Sequence, residues 1–129
     1  MEDVNLKNFR IFKISGSFEV WVGKNSEAND VLSFKYTGQN DLWFHIRGTS
    51  GSHTILKLPE NFEGEIPKEC IKTAAEIAAF YSKAKNAKSV NVAYTKGKNV
   101  QKYKGAKSGS VVIKGEKIIK VAPKIPETT

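Results

Sequence analysis

One cysteine, Cys70, stands in the 129-residue chain, which excludes an intrachain disulfide and any zinc site built from cysteine thiolates. No Cys/His pairing motif surrounds it, so it reads as a small packed residue on a helix and not as a catalytic thiol. No apolar run approaches a membrane span, and the start Met1-Glu-Asp-Val-Asn-Leu6 has neither the basic nor the apolar region of a signal peptide. No membrane partner is therefore expected, and the default location is the cytoplasm. Arginine is almost missing as well: Arg10 and Arg47 are the two arginines among twenty-one basic residues. Arginine's planar fork suits a guanine edge, whereas lysine is a flexible point charge that follows a phosphate backbone, so weak sequence specificity is expected of a nucleic-acid binder with this composition. There is no internal repeat and no low-complexity segment beyond the lysine bias.

What is present is a globular composition, 40% hydrophobic and 26% charged, in a chain long enough for one core and too short for two. A single domain over 1–129 is expected, with an ordered core at about 9–123 and flexible termini. Acids are almost absent from one stretch. Residues 83–120 carry eleven lysines and one acid, Glu116, while the rest of the chain carries ten basic and twelve acidic side chains. Nearly all of the formal net charge of +8 therefore sits in this segment, and so local an imbalance attracts polyanions before contact. Lysine-rich faces are also ordinary solvated surface. Here, however, Tyr94-Thr95-Lys96-Gly97-Lys98 and Lys102-Tyr103-Lys104-Gly105-Ala106-Lys107 interleave the charges with glycine and hydroxyls that can join ammonium groups around phosphates.

Phe9–Ile14 and Phe18–Val22, separated by Ser15-Gly16-Ser17, predict a hairpin. Asn25 or Ser26 can cap a short helix to about Tyr36, with Val31, Leu32 and Phe34 available for burial. Leu42–Ile46 and His53–Leu58 flank Gly48–Gly51 as a second hairpin. Pro67 opens a helix to about Lys85, with Cys70, Ala74, Ile77, Ala78 and Tyr81 on one stripe. Val90–Thr95, Ser110–Lys114 and Ile118–Val121 complete the order ββαββαβββ. That order predicts an α+β domain with a mostly antiparallel sheet packed by two helices.

In a strand over 41–47, Trp43, His45 and Arg47 share one face and Leu42, Phe44 and Ile46 the other, which is the core. The first set combines groups that stack on unpaired bases and contact phosphate; equally, Trp43 can be buried in a two-sided sheet. Asp41, His45 and His53 supply a carboxylate and two imidazoles, weak candidates for metal binding or acid–base chemistry. The hairpin register decides whether they meet. Pairing 46 with 53 separates the imidazoles, and a shift by one residue unites them. The glycine-rich Gly105-Ala-Lys107-Ser108-Gly109 lacks phosphate-loop spacing and precedes a strand, so no nucleotide cofactor, and no other cofactor or metal, is implied. Gly48-Thr-Ser-Gly-Ser52-His53 can cradle a phosphate on its backbone amides.

Several blocks then combine: Val22-Gly-Lys-Asn25 with Asn29-Asp30, Asp41-Leu-Trp-Phe-His45, Gly51-Ser-His53, Ala74-Ala75 with Tyr81-Ser-Lys-Ala-Lys85, Val92-Ala-Tyr-Thr95, Val100-Gln-Lys102, and Lys104-Gly-Ala-Lys107 followed by Gly109. Over about residues 9–123 they resemble the R domain of the NFACT family. Its full-length relatives, once described as fibronectin-binding proteins, are similar to ribosome quality-control factors that engage the large subunit and tRNA. The resemblance implies an RNA-binding module, with tRNA or ribosomal RNA as partner. Lys96, Lys98, Lys102, Lys104 and Lys107 are then expected on phosphates, Trp43, His45, Arg47, Ser52 and His53 in a selective pocket, and Asn25, Asn29 and Asp30 in loop support. Ser50, Tyr103 and Ser108 stand where the family usually has proline, which leaves those loops less restricted. The family's N-terminal domain, helix-hairpin-helix and coiled coil are not in these residues. Two other classes stay open beside RNA binding: a small RNA-modifying or hydrolytic enzyme using the Asp/His/His set, and a protein-interaction adaptor. The oligomeric state is not set.

Overall fold

The structure, a computed structural model, describes residues 6–102 and 104–126; the expected flexible termini and Tyr103 lie outside them in whole or in part. Short apolar segments form β1 (Phe9–Lys13), β2 (Glu19–Gly23), β3 (Leu42–Ile46), β4 (Thr54–Lys57) and β5 (Val90–Lys96). Three further strands follow: β6 (Val100–Gln101), β7 (Val112–Ile113) and β8 (Lys117–Val121). The main sheet runs β1-β2-β4-β3-β5-β8, antiparallel throughout, and β6 pairs with β7 in a separate ribbon. The architecture is the expected α+β domain with a mostly antiparallel sheet and two helices, α1 (Ser26–Val31) and α2 (Lys68–Phe80). Among the described residues no helix is long and apolar enough to cross a membrane.

Helix α2 buries Cys70, Ala74, Ala75, Ile77, Ala78 and Ala79 against Val20, Val22, Phe44, Leu56 and Val92. Its alanines let the helix axis approach the sheet closely. The opposite sheet face is covered too. Phe9, Trp43 and Ile55 pack under Ala28, Leu32 and Val100, so the sheet is two-sided and Trp43 belongs to a second core layer.

Three expectations are corrected here. Helix α2 ends at Phe80 and not near Lys85, because the next residues bond across to the β3–β4 connection: Ser52 N donates to Tyr81 O at 2.9 Å and Lys83 N to Ser50 O at 2.9 Å. Ser82 Oγ meanwhile caps Ala79 O at 2.6 Å. After α1 the chain widens into a π-helical turn, Leu32–Tyr36. The altered register points Leu32 and Ser33 inward and leaves Val31 and Phe34 exposed. The 110–114 segment contributes only Val112–Ile113, and it pairs with the unexpected β6 instead of the main sheet.

Thr54 is fully buried on β4, and its Oγ1 is the one buried side-chain polar atom without a partner among the described residues. An unpaired buried hydroxyl costs about 1 kcal/mol or more. Thr54→Val keeps the shape and removes that cost, so thermal melts should show a midpoint raised by roughly 4 °C.

Candidate nucleic-acid interface

Pairing of Leu42 with Leu56, Trp43 with Ile55 and Phe44 with Thr54 settles the β3–β4 register. Continued by one residue, it sets His45 opposite His53 on the second sheet face. The two rings lie 5.7 Å apart, edge to face, and Trp43 stacks 6.0 Å from His45 and stands edge-on 5.1 Å from His53.

Hydrogen bonds dictate the state of His53. Its Nε2 is 3.1 Å from the Gly109 carbonyl oxygen, which can only accept, so Nε2 carries the proton. Nδ1 is then an acceptor and takes the Ser33 hydroxyl at 2.8 Å, while Trp43 Nε1–H donates to Ser33 Oγ at 3.0 Å. Each polar hydrogen in this chain has one destination. Burial favours the same neutral form: the His53 pKa is pushed down to about 4, first by desolvation and then by neighbouring His45, against weaker opposing effects from the Gly109 carbonyl, Asp30 and the Asn29 backbone contact. The pKa of His45 is lowered too, by burial, with backbone bonding at Ile46 and Gly51 acting the other way.

Gly109 is held from both sides. Its positive φ of 84° suits glycine and lets the carbonyl meet His53 while the amide donates to Asp30 Oδ1 at 3.0 Å. Asp30 also takes the Lys102 ammonium, with Oδ2 at 3.2 Å, and that ammonium further donates to Lys107 O at 2.5 Å and Ser110 O at 3.1 Å. Asn29 Oδ1 accepts from His53 N at 3.1 Å, and Asn25 Oδ1 caps α1 through Ala28 N at 2.8 Å. The lysine-rich loop is thus bolted to α1 and β4. Lys104 and Lys107 remain on its exposed side.

The loop walls a cleft of about 420 Å³ whose lining includes Trp43, His45, Arg47, His53, Val111 and Ile113, within the size range of small-ligand pockets. Arg47 sits at its mouth, paired with Glu116 at 2.9 Å.

Several anticipated site residues fall elsewhere. Trp43 is only 3% exposed and serves as cleft floor, not as an open stacking platform, because the β6–β7 ribbon and the π-helical turn cover its face. Lys102 has its three donor directions occupied inside the loop, so it shapes the loop instead of presenting a free cation. Asp41 does not join the histidines. Its carboxylate accepts Gly38 N at 2.6 Å, Leu58 N at 3.0 Å and Lys57 Nζ at 2.8 Å at the other end of β3. Lys96 and Lys98 share that end, since Lys96 pairs with Leu42, roughly 10 Å along the strand from His45. Ser52 lines a different groove. The basic segment therefore splits between two ends of the sheet. Among the described residues no three His, Cys, Asp or Glu side chains are grouped to hold a metal ion.

Sequence reading missed Ser33, Gly109 and Glu116. Ser33 carries no motif, and its role depends on the π-turn; the visible signals were Glu116, as the lone acid in the basic segment, and Gly109, as the end of the Lys104–Lys107 block.

The family described as the NFACT protein RNA binding domain matches residues 8–119. The chain is 36% identical to the Rqc2 homolog RqcH of Streptococcus suis over 115 residues, 88% of this chain and 20% of that protein. Its identity to the Bacillus subtilis RqcH is 35%, covering 87% and 19% of the two chains. Coiled-coil domain-containing protein 25 of Mus musculus is 29% identical over 83% of this chain and 52% of its own length. The solved C-terminal part of the fibronectin/fibrinogen-binding protein from Streptococcus suis superposes with a TM-score of 0.80 at 33% identity, covering 91% of this chain and 45% of that one. The chain spans about a fifth of the RqcH relatives. Matched over residues 8–119, with the fold shared by a solved relative, the chain belongs to the NFACT RNA-binding domain family.

Proposed function

We propose that the domain binds tRNA or ribosomal RNA in the cytoplasm, with Lys104 and Lys107 on backbone phosphates and the adjoining cleft taking an unpaired base against His45 and Arg47. The observation that carries this reading is the double clamp on Gly109. It holds a lysine loop rigidly beside a cleft, so phosphate and base contacts come from one preformed surface. Lys96 and Lys98 extend the electrostatic footprint at the other end of β3. By the family resemblance, the RNA belongs to ribosome-associated quality control. The enzyme alternative is less well supported, because both ring nitrogens of His53 are committed within the protein and Asp41 is saturated by its own neighbours.

Fluorescence anisotropy with end-labelled bulk tRNA and a ribosomal RNA fragment tests the proposal across a KCl series. Replacing both Lys104 and Lys107 by Gln should weaken binding about tenfold and flatten the plot of log affinity against log salt by roughly 1.5, at about 0.7–0.9 for each phosphate no longer neutralised. Affinity indifferent to salt, or to these two substitutions, would sink the reading.

A further inference from the structure

A second groove, of about 580 Å³, opens where the C-terminal end of α2 meets the β2–α1 turn and the β3–β4 connection. Four cations line it: Arg10, Lys24, Lys83 and Lys85. No acid does. All four are exposed, and none forms an ion pair among the described residues. Four like charges around one concavity repel one another, and among the described residues no carboxylate is paired with them.

Aromatic rings set the position of two of them. The Arg10 guanidinium lies 4.7 Å over the Tyr81 ring and Lys85 Nζ 4.3 Å over Phe80. Such stacking limits side-chain freedom and leaves the charge available to an outside anion. Capping the end of α2 does not occupy these cations either. Ser82 Oγ serves the Ala79 carbonyl, and Ser52 N–H serves that of Tyr81.

The geometry points to this groove as a second phosphate-binding track for the same RNA, entered from the loop that carries Lys104 and Lys107. Continuity supports RNA as the occupant. Gly109 neighbours Ser26, a groove residue: a Cβ on it would lie at ordinary van der Waals distance, 3.5 Å, from Ser26 Oγ. A strand leaving the lysine loop over Ser26 meets Lys24 and then Lys83 and Lys85 just beyond α2, in the manner of a basic groove that tracks a backbone. The inference rests on the RNA-binding reading and adds a binding surface outside the cleft and outside the lysine loop.

The test uses the whole chain, end-labelled bulk tRNA and a KCl series. The triple variant Lys24→Gln, Lys83→Gln, Lys85→Gln should keep its melting midpoint, since these side chains are exposed. Its tRNA affinity should fall about tenfold or more, and its salt slope by roughly 2 to 3. The triple Lys→Arg variant should restore both. If the wild-type chain binds no tRNA, the RNA-binding reading falls and this inference with it. If the Lys104/Lys107 variant loses affinity while the groove variant does not, the groove inference alone is overturned. Loss of polyglutamate binding with unchanged tRNA affinity would assign the groove to an acidic protein and overturn it as well.

Discussion

Acidification from pH 6.5 to about 4 is expected to remove on the order of 3 kcal/mol of folding stability, through His53 alone. In the unfolded chain this imidazole takes up a proton near its ordinary pKa of 6.5; in the folded chain it does so only at about 4. Between those values the unfolded state binds more protons, so stability rises with pH across the window. The contribution is fully present above about 6.5 and is lost as the pH falls through the folded value. The structure supplies the cause: a proton on Nδ1 would face the Ser33 hydroxyl, which would have to stop donating to it, in a site only 3% exposed and beside His45. His45 adds to the trend in the same direction, because its pKa is also lowered. Urea unfolding at pH 7.0, 5.5 and 4.5 measures the slope. In His53→Gln the stability at pH 7 should be lower and its dependence on pH across this window flatter; a wild-type profile without slope would remove His53 as a buried neutral clamp.

Replacing Asp30 by Ala should cost about 2 to 3 kcal/mol, the range for a charge-assisted, partly buried hydrogen-bond set. The carboxylate serves two donors at once, the Gly109 amide and the Lys102 ammonium. Its loss leaves the amide unpaired and strips Lys102 of its carboxylate partner, with only the Lys107 and Ser110 carbonyls still holding it. The uncompensated ammonium yields a second, functional readout. Asp30→Ala should raise the salt slope of RNA binding by about 0.8 as Lys102 becomes available to a phosphate. Lys102→Gln in the otherwise native chain should lower stability while leaving that slope unchanged, unlike the Lys104/Lys107 pair. Mass-spectrometric acetylation checks the premise directly: Lys102 should be protected in the native protein and reactive in Asp30→Ala. A native Lys102 as reactive as Lys104 would contradict the assignment of this lysine to loop structure.

Local pattern was enough to place β1 to β5 and β8, because short apolar segments bounded by turn residues, such as Phe9–Lys13, Glu19–Gly23 and Leu42–Ile46, need no partner to be read. The same holds for the alanine stripe of α2 and for the Asn25 cap. Where local signals conflicted with distant partners, the partners prevailed. Helix α2 stops at Phe80 although helix formers continue, since the chain after it gains hydrogen bonds from Ser50 and Ser52. Val31, Leu32 and Phe34 looked buriable, yet the π-turn directed only Leu32 of these inward, together with Ser33.

By itself the sequence determined the α+β class, the two helices, the concentration of positive charge in 83–120 and membership of an RNA-binding family. These follow from periodicity, charge and ordered blocks, all readable along the chain. Only the tertiary structure decided which histidine face forms, since a one-residue change in register reverses every side chain on a strand. Only it separated Lys102, consumed by Asp30 and two carbonyls, from Lys104 and Lys107, which remain exposed. It also gathered Arg10, Lys24, Lys83 and Lys85 into one groove from segments far apart in sequence. Identical lysines differ in role because charge is a property of the residue, whereas availability depends on the acceptors that folding brings within reach.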